Sequence, residues 1–390
     1  MEIGKEVLKG LCQWEHRLTT SENEKKASEY LKQGLEKLGY LSEIEEFNSP
    51  ATFSWTYLVI YLGLALSFIL FFFFPKASIA FFLISLILFL GEQTTLFAPL
   101  TLFIFARGKS QNLIGRIPPP PDDAKKRLWL VAHYDSSKAS LAFSPGSVRF
   151  LRPLFIFSLV LLATGFIILF LGYGNKLEES LWVRVFLIFA GVYFFYMAMM
   201  MVERELRGMG VQGASDNASG VAVVMELAQR LKEKPLINSE LKILLTGAEE
   251  VGMVGMQNFI KRHKRELSPK IDYFINFDSI GEGEPCWITK EGMLKPFRVS
   301  EKLSQIAFEL SQKQKFQAIK AKAYTTLTLD TLVARARNFE TLSFMALTKQ
   351  GFPKPWHWFD DTIEKVELDK LALVSDFAEA LLRNFDQNPI

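Results

Sequence analysis

Four long apolar blocks constrain this chain more than any other feature of its sequence. They cover residues 56–74, 77–106, 153–175 and 181–202, and the only charged residues inside them are Glu92 and Arg184. A helix needs about 20 apolar residues to cross the ~30 Å hydrocarbon core of a bilayer. Buried core helices of a large soluble protein are the alternative, but such helices rarely lack charge over so many positions. We therefore predict four membrane-spanning helices, paired as two hairpins.

The second block is the least regular of the four. The polar stretch Glu92-Gln93-Thr94-Thr95 interrupts it before the apolar run resumes at Leu96. We interpret this block as one crossing whose end lies near the membrane interface. Residues 96–105 then either complete the helix or lie along the membrane surface.

Four crossings return the chain to its starting side, so residues 1–52, 107–151 and 203–390 are expected to share one face of the membrane. Basic residues flank the crossings more often on that face than on the other, and this excess predicts a cytoplasmic location. The flanking residues are Arg107, Lys109, Arg149, Arg152, Arg204 and Arg207 on that face, against Lys76, Lys176 and Arg184 on the other. Residues 1–50 contain no apolar run typical of a secretory signal peptide.

Outside the blocks the composition is that of an ordinary soluble domain. The formal net charge is +3, from 45 Lys and Arg against 42 Asp and Glu. No cluster of basic residues indicates a nucleic-acid partner. Two cysteines, Cys12 and Cys286, are too few for a disulfide framework. No feature of the sequence sets an oligomeric state.

Short apolar runs alternate with helical patterns in these soluble segments. Helical spacing extends over Val7–Leu38, where Thr20 or Ser21 can cap a helix that Gly39 ends. The other predicted elements are the strands Leu41–Phe47, Asn112–Ile117, Leu128–Ala132, Leu241–Leu245 and Ile271–Phe277, and the helices Gly220–Leu231 and Met253–His263. This alternation predicts an α/β fold, with a mostly parallel (mixed) sheet between helices. We expect segments 1–52, 107–151 and 203–390 to form one domain, interrupted by the hairpins at 53–106 and 152–202.

Side chains that bind metal ions well follow the predicted strands directly. Ligands of open α/β sheets bind beyond the carboxyl ends of the strands. A single carboxylate at a strand end is more often simply solvated, so the indication comes from the whole ordered set. That set comprises His133 and Asp135, Asp216 in a turn that opens a helix, Glu249 and Glu250, Asp278, and finally His357.

With these residues the sequence resembles peptidase family M28, zinc peptidases with an α/β fold that include aminopeptidases. The resembling stretches are His16–Thr20, His133-Tyr134-Asp135, the turn Ser215–Gly220, Gly247–Gly252, Asn276-Phe277-Asp278, and His357 with Asp361-Thr362. The two membrane hairpins depart from the soluble members of the family. Both hairpins fall between core elements, so the sheet is still expected to close.

The resemblance implies a site for two zinc ions, with cobalt or manganese as possible substitutes. Asp216 would bridge the ions, His133 and Asp278 would hold one, and Glu250 and His357 the other. Asp135 would orient the imidazole of His133. Glu249 would be the general base that takes a proton from a metal-bridging water and delivers it to the leaving amine.

The resemblance also implies the removal of N-terminal residues from peptides. Glu282 and Glu284 are candidates for holding the substrate amine, although both fit an ordinary solvated loop. Tyr324 is a candidate oxyanion donor, and Asp330 resembles a family aspartate near the site. The alternatives are a carboxypeptidase, a dipeptidase, a glutaminyl cyclase with one zinc, a non-catalytic membrane receptor or scaffold, and a transporter built from the apolar blocks.

Overall fold

The computed structural model describes residues 1–94, 105, 107–117, 125–172 and 180–387. The chain forms two compact units, which we call the α/β unit and the helical unit. The α/β unit consists of Met1–Ala51, Ala106–Ala139 and Met209–Ile390. The helical unit consists of Thr52–Phe105 and Ser140–Gly208.

A mixed sheet forms the centre of the α/β unit. Its strands, within the described part of the chain, are β1 (Leu41–Ser49), β2 (Gly108–Arg116), β3 (Lys126–His133), β4 (Ser239–Thr246), β5 (Asp272–Phe277), β6 (Glu284–Glu291), β7 (Phe297–Arg298), β8 (Lys320–Tyr324) and β9 (Glu340–Leu347). They are ordered β1-β2-β4-β3-β5-β9-β6-β7, and β8 pairs with β6. The central strands β4, β3, β5 and β9 are parallel, while β1, β2 and β6 pair antiparallel. The mixed α/β fold predicted from the sequence is confirmed.

Helices pack on both faces of this sheet. The helices of the α/β unit, within the described residues, are α1 (Glu2–Leu11), α2 (Glu22–Lys37), α7 (Ser219–Glu233), α8 (Val254–Arg262), α9 (Glu301–Ser311), α10 (Asp330–Arg335) and α11 (Leu368–Gln387). Those of the helical unit are α3 (Ser54–Leu70), α4 (Pro75–Thr94), α5 (Leu151–Gly172) and α6 (Leu181–Arg207). Along β3, Leu128 and Leu130 enter the larger core with α7 and α11, whereas Trp129 and Val131 enter a second core with α8 and α10. Successive strand residues point to opposite faces, so the apolar run of β3 serves both cores.

The helical spacing over Val7–Leu38 corresponds to two helices, α1 and α2, and the predicted cap and end of the second helix are confirmed. Ser21 starts α2 as its N-cap and accepts a hydrogen bond from the backbone N–H of Glu24 at 3.2 Å. Gly39, at φ +80°, ends α2 in a left-handed conformation that glycine adopts without strain. The ten residues between α1 and α2 break the helical run.

The parallel strands bring their carboxyl ends to one edge of the sheet. In the β3–β4 ladder His133 lies beside Thr246, and in the β3–β5 ladder Val131 lies beside Asn276. The residues that follow β4 and β5 are therefore neighbours of those that follow β3. This register determines where the site forms.

The segment Ser140–Gly208 leaves and rejoins the α/β unit at neighbouring points. The backbone N–H of Ala139 donates to the carbonyl of Met209 at 2.9 Å, and that of Val211 donates to the carbonyl of Ser137 at 2.9 Å. Lys138 and Gly210 form an antiparallel bridge between these two bonds. A short ladder thus closes the base of the insertion.

Three stretches of the helical unit are long and apolar enough to cross a membrane, judged by length and composition. They are Pro75–Thr94, Val148–Gly172 and Leu181–Arg207. The fourth apolar helix, Ser54–Leu70, has 17 residues. Residues 75–94 form one helix, which includes the first three residues of the polar stretch that starts at Glu92. The predicted alternatives for residues 96–105 lie, apart from Phe105, outside the described residues.

Aromatic side chains pack the interior of the helical unit. The ring of Phe68 lies 5.8 Å from that of Phe82 and 6.0 Å from that of Phe194, between centroids. Large apolar side chains also cover the outside, and Trp182 is 80 % exposed and Phe73 70 %. Such outward apolar faces are unfavourable in water.

Candidate metal centre

His133 is the last residue of β3, and its imidazole is surrounded by carboxylates. Its Nε2 lies 3.1 Å from Asp216 Oδ1, 3.8 Å from Asp278 Oδ2 and 3.9 Å from Glu249 Oε2. Its other ring nitrogen, Nδ1, faces Asp135 Oδ1 at 3.4 Å. The imidazole is therefore placed between one carboxylate behind it and three in front of it.

His357 lies on the other side of Asp216. Its Nε2 is 3.1 Å from Asp216 Oδ2 and 2.9 Å from Glu250 Oε2. The two oxygens of Asp216 thus face two different histidines. The potential ligand atoms form two buried groups that share this aspartate, one with His133 and Asp278 and the other with Glu250 and His357, and within each group they lie within 4.8 Å of one another.

The turn that carries Asp216 is held by Asp361 and Asn217. The carboxylate of Asp361 accepts hydrogen bonds from the backbone N–H groups of Ser215 at 2.6 Å and Asp216 at 3.2 Å. The side chain of Asn217 donates to the carbonyl of Phe277 at 2.9 Å and accepts from the N–H of Ser279 at 3.2 Å. The peptide bond between Asp216 and Asn217 is cis. Through these bonds the Asp216 turn and the end of β5 are joined.

The turn that carries Glu249 and Glu250 follows β4 and is held by Asp135. Asp135 Oδ1 accepts from the N–H of Glu249, and Oδ2 accepts from the N–H of Glu250, both at 3.2 Å. Ala248, just before the two glutamates, adopts a left-handed conformation with φ 54°. Asp135 therefore contacts His133 and this turn together, whereas the sequence indicated only its contact with His133.

Burial and charge shift the ionisation of these groups in opposite directions. Burial alone would lower the pKa of His357, but Glu250 and Asp216 raise it to about 9. Burial would also lower the pKa of His133. The surrounding carboxylates, led by Glu249, outweigh burial and raise this pKa well above its usual value. Burial raises the pKa values of Glu249 and Glu250. Hydrogen bonds from both histidines overcome burial at Asp216 and hold its pKa well below the usual range.

This donor set fits divalent zinc. Imidazole nitrogen and carboxylate oxygen are ligands that zinc prefers, and two groups that share one carboxylate suit a pair of ions. The buried carboxylates also outnumber the two histidines, so the cluster is short of positive charge. Buried charges are costly unless they are paired or coordinate a metal, and bound cations would supply the missing charge.

Tyr324 and Asp330 both lie at the margin of this cluster. Burial, together with the nearby carboxylates of Asp278 and Asp216, raises the pKa of Tyr324 well above its usual value. Asp330 accepts a short hydrogen bond from the hydroxyl of Thr246, the residue paired with His133 in the sheet, and burial raises its pKa to about 7. Both residues therefore lie beside the carboxylates of the candidate centre, and their roles stay predictions.

Glu282 and Glu284 lie in a different environment. Glu282 pairs with Lys354 at 2.8 Å, and Glu284 pairs with Lys322 at 2.8 Å. Half of the Glu284 side chain is exposed. Both carboxylates are therefore engaged by lysines, and the structure does not bring them into the two groups around Asp216.

Four residues that support the centre received no role from the sequence. Asp361 holds the Asp216 turn, and Arg17, Thr19 and Glu24 contact the other turns from the segment that precedes and begins α2. Arg17 and Thr19 lie in a stretch that resembles the M28 family, which is the signal that could have found them. Glu24 reads as an ordinary capping residue in the sequence.

Comparison with known proteins agrees with this geometry. Residues 199–382 match the sequence model of peptidase family M28. The matched part contains Asp216, Glu249, Glu250, Asp278 and His357, whereas His133 and Asp135 precede it.

Two curated relatives that are named as aminopeptidases match this chain over short stretches. The chain is 32 % identical over 80 residues to the probable lipoprotein aminopeptidase LpqL of Mycobacterium tuberculosis, which covers 20 % of this chain and 16 % of that protein. It is 32 % identical over 69 residues to aminopeptidase YwaD of Bacillus subtilis, which covers 18 % of this chain and 15 % of the relative. The chain thus spans less than a fifth of the length of these two relatives.

Solved structures share the fold over nearly the whole chain. A zinc aminopeptidase from Bacillus subtilis gives a TM-score of 0.59 at 14 % identity, covering 98 % of this chain and 95 % of that one. A glutaminyl cyclase from Bacteroides thetaiotaomicron also gives 0.59, at 13 % identity, covering 98 % and 97 %. The matched segment, the aminopeptidase relatives and the shared fold agree, and residues 199–382 of this chain match peptidase family M28.

Proposed function

We propose that this protein is an integral-membrane aminopeptidase that uses two zinc ions to hydrolyse the N-terminal residues of peptides. The observation that carries the proposal is the placement of Asp216 between His133 and His357, at 3.1 Å from each. A single shared carboxylate with a histidine and a further carboxylate on each side is an arrangement for two ions. When bound, zinc polarises a scissile carbonyl and lowers the pKa of water.

Each residue of the centre then has a distinct task. His133, Asp216 and Asp278 would hold one ion, and Asp216, Glu250 and His357 the other. Glu249 belongs to neither group, although its carboxylate lies 3.9 Å from His133. It is thus available to accept a proton from the attacking water and to donate it to the leaving amine.

Burial supports this role for Glu249. Its side chain is 12 % exposed, and burial raises its pKa. A carboxylate with a raised pKa is a better proton acceptor than one at its usual value, because catalytic groups work best with pKa values near the working pH. Tyr324, near the same carboxylates, is placed to donate a hydrogen bond to the oxygen that becomes negative.

The arrangement of ligands also bears on the alternative activities. A glutaminyl cyclase that uses one zinc needs one group of ligands, whereas the described residues form two groups around Asp216. Structures of both classes share this fold equally well. The paired ligand groups therefore favour the peptidase over the cyclase.

Hydrolysis by the purified full-length protein in detergent tests the proposal. We expect release of p-nitroaniline from amino-acid p-nitroanilides, loss of this activity with a chelator, and recovery with zinc. Glu249→Gln should lower kcat by about 10²–10⁴-fold and keep both zinc ions. Cyclisation of N-terminal glutamine peptides without hydrolysis, or zinc binding without turnover of any peptide, would contradict the proposal.

Four helices would anchor the protein in the bilayer. Three stretches meet the length criterion. The fourth, α3, has 17 residues, and the apolar run continues beyond it as a turn in which the N–H of Phe74 donates to the carbonyl of Leu70 at 2.7 Å. The exposed apolar side chains on these helices suit contact with lipid.

The excess of basic residues beside residues 107–151 and 203–390 supports a cytoplasmic location for the α/β unit. Labelling of single introduced cysteines with an impermeant maleimide tests this, because Cys12 and Cys286 are both buried. We expect Lys176→Cys to be labelled from outside the cell and Lys320→Cys only after lysis. The reverse pattern would contradict the proposed orientation.

A further inference from the structure

The segment that joins α1 to α2 contacts the turns that carry most of the ligands of the candidate metal centre. Arg17, Thr19 and Glu24 come from this segment and the first turn of α2, and we call these three residues the N-terminal brace. We propose that the N-terminal brace consists of positioning residues that hold the His133, Asp216 and Glu249–Glu250 turns in the arrangement needed to bind zinc. The inference rests on the proposed function and extends it to residues outside the matched segment 199–382.

Arg17 joins the end of β3 to the turn that leads to Asp216. Its guanidinium is fully buried and donates to the carbonyl of Tyr134 at 2.7 Å, of Gln212 at 2.6 Å and of Gly213 at 2.9 Å. Its own backbone N–H donates to the hydroxyl of Ser136 at 2.9 Å. The planar guanidinium presents several donors in fixed directions, which a lysine ammonium does not. Arg17 therefore fixes the distance between the two backbone segments that carry His133 and Asp216.

Thr19 acts on the centre through Asp135. Its hydroxyl donates to Asp135 Oδ2 at 2.8 Å, and Asp135 faces His133 and accepts from the N–H groups of Glu249 and Glu250. Thr19 and Asp135 are both buried. One hydroxyl thus fixes the carboxylate that orients an imidazole and a turn.

Glu24 holds the same turn from the other side. Its Oε1 accepts from the N–H of Ala248 at 3.2 Å and from the hydroxyl of Ser110 at 2.6 Å, and its Oε2 accepts from the N–H of Thr20 at 2.6 Å. The left-handed conformation of Ala248 is unfavourable for a residue other than glycine and persists only when its surroundings fix it. Glu24 supplies that support from α2.

The three contacts have one effect in common. Each of these three ligand turns begins where a strand or a helix meets a loop, and each has a brace residue bonded to its backbone or to the carboxylate beside it. Partners that orient metal ligands in this way typically change metal affinity or activity 10–100-fold when they are removed. The N-terminal brace therefore sets zinc affinity without touching zinc.

Thr19→Val tests the inference in the full-length protein, because valine keeps the shape of threonine and removes the hydroxyl. Thr331→Val is the matched control, since the buried hydroxyl of Thr331 also donates to a buried carboxylate, that of Glu291 at 2.9 Å, which belongs to neither ligand group. We expect Thr19→Val to weaken zinc affinity about 10–100-fold in competition with a chromophoric chelator. The visible spectrum of the Co²⁺-loaded variant should change. Thr19→Ser, which keeps a hydroxyl, should restore the wild-type zinc affinity and the wild-type Co²⁺ spectrum.

The melting temperature in excess chelator separates positioning from general stability. We expect the melting temperature to fall by a similar amount in Thr19→Val and in Thr331→Val, because each variant loses one buried hydrogen bond to a carboxylate. Unchanged zinc affinity and an unchanged Co²⁺ spectrum in Thr19→Val would overturn the inference, as would equal losses of affinity in both variants. If Thr19→Val does not fold, Glu24→Met decides by the same two measurements, because it removes both acceptor oxygens and keeps the length of the side chain, and loss of affinity is expected.

Zinc affinity is measured apart from peptide hydrolysis, so the two proposals fail differently. Zinc binding by the wild type without hydrolysis would refute the aminopeptidase, and the affinities of the variants would still decide the role of the N-terminal brace. A wild-type protein that binds no zinc would refute both.

Discussion

The carboxylate of Asp361 accepts a hydrogen bond from the backbone N–H of Asp216 at 3.2 Å. Asp361 follows His357 by four residues in the chain. A second bond, from the N–H of Ser215, satisfies its other oxygen. The segment that supplies one histidine therefore also holds the aspartate shared by both ligand groups. Burial raises the pKa of Asp361 to about 8.

Replacement of Asp361 should weaken the metal centre. In Asp361→Asn an NH₂ group replaces one carboxylate oxygen and cannot accept a hydrogen bond from a backbone N–H. One of the two bonds to the Asp216 turn is therefore lost. We expect zinc affinity to fall about 10–100-fold, measured by chelator competition. Asp360→Asn, in the exposed neighbour, is the control and should bind zinc as the wild type does. Equal affinity in both variants would contradict this role.

Loss of His357 should remove one of two zinc ions. His357→Ala takes away an imidazole from the group with Glu250 and leaves the His133 group intact. We expect the zinc content to fall from two ions towards one per chain, measured by mass spectrometry of metals in the purified protein. His263→Ala is the control because His263 pairs with Glu45 on β1, at 2.9 Å. A content that stays at two would refute the assignment of His357.

Tyr324→Phe should lower turnover and spare metal binding. The variant loses only a hydroxyl, which we place as a donor to the oxygen that becomes negative during hydrolysis. Removal of such a donor typically costs about 10²–10³-fold in kcat. Steady-state kinetics on p-nitroanilides, with zinc content measured in parallel, checks this, and Tyr273→Phe on β5 is the control. A change in KM alone would show that Tyr324 binds substrate instead.

The ion pairs of Asp376 on α11 should make part of the stability depend on pH. Partial burial raises the pKa of Asp376, but Lys315 and Arg230, each at 2.8 Å, outweigh it and lower the pKa below its usual value. A carboxylate with a lowered pKa stabilises the fold above its unfolded pKa, near 3.9, and loses this effect as the pH falls through the folded value.

Asp376→Asn should therefore destabilise the protein at pH 7 by about 1 kcal/mol or less, since the pair is partly exposed. The difference from the wild type should shrink as the pH falls below about 4. Thermal unfolding in chelator, at several pH values, measures it. Asp369→Asn, at an exposed site of the same helix, is the control, and a difference that grows in acid would contradict the sign.

The strand ends explain why most of the centre could be predicted from the sequence. His133, Glu249, Glu250 and Asp278 each follow a short apolar run, and parallel strands bring such positions to one edge. The shared role of Asp216 followed from the family resemblance, and its position between two histidines agrees with that role. His357 could be placed only through the resemblance, because it follows an irregular loop.

The rest depends on contacts between residues far apart in the chain. Arg17 lies in a loop, and only the fold shows that its guanidinium reaches Tyr134 and Gly213. The position of Glu24 in the sequence is explained by helix capping alone, so nothing indicated that its carboxylate also accepts a hydrogen bond from the N–H of Ala248. The strands β6 to β8 carry short or interrupted patterns, and Pro285 and the bulge near Ile288 obscure the alternation in β6.

The ladder between Ser137–Ala139 and Met209–Val211 has an architectural consequence. It brings the two ends of segment 140–208 together inside the α/β unit, because each end pairs with the other. The pairing of β3 with β4, which lie on either side of this segment in the chain, therefore requires no particular length or composition of the residues between these ends. Changes within segment 140–208 are expected to leave the strand register beside the candidate metal centre unaltered.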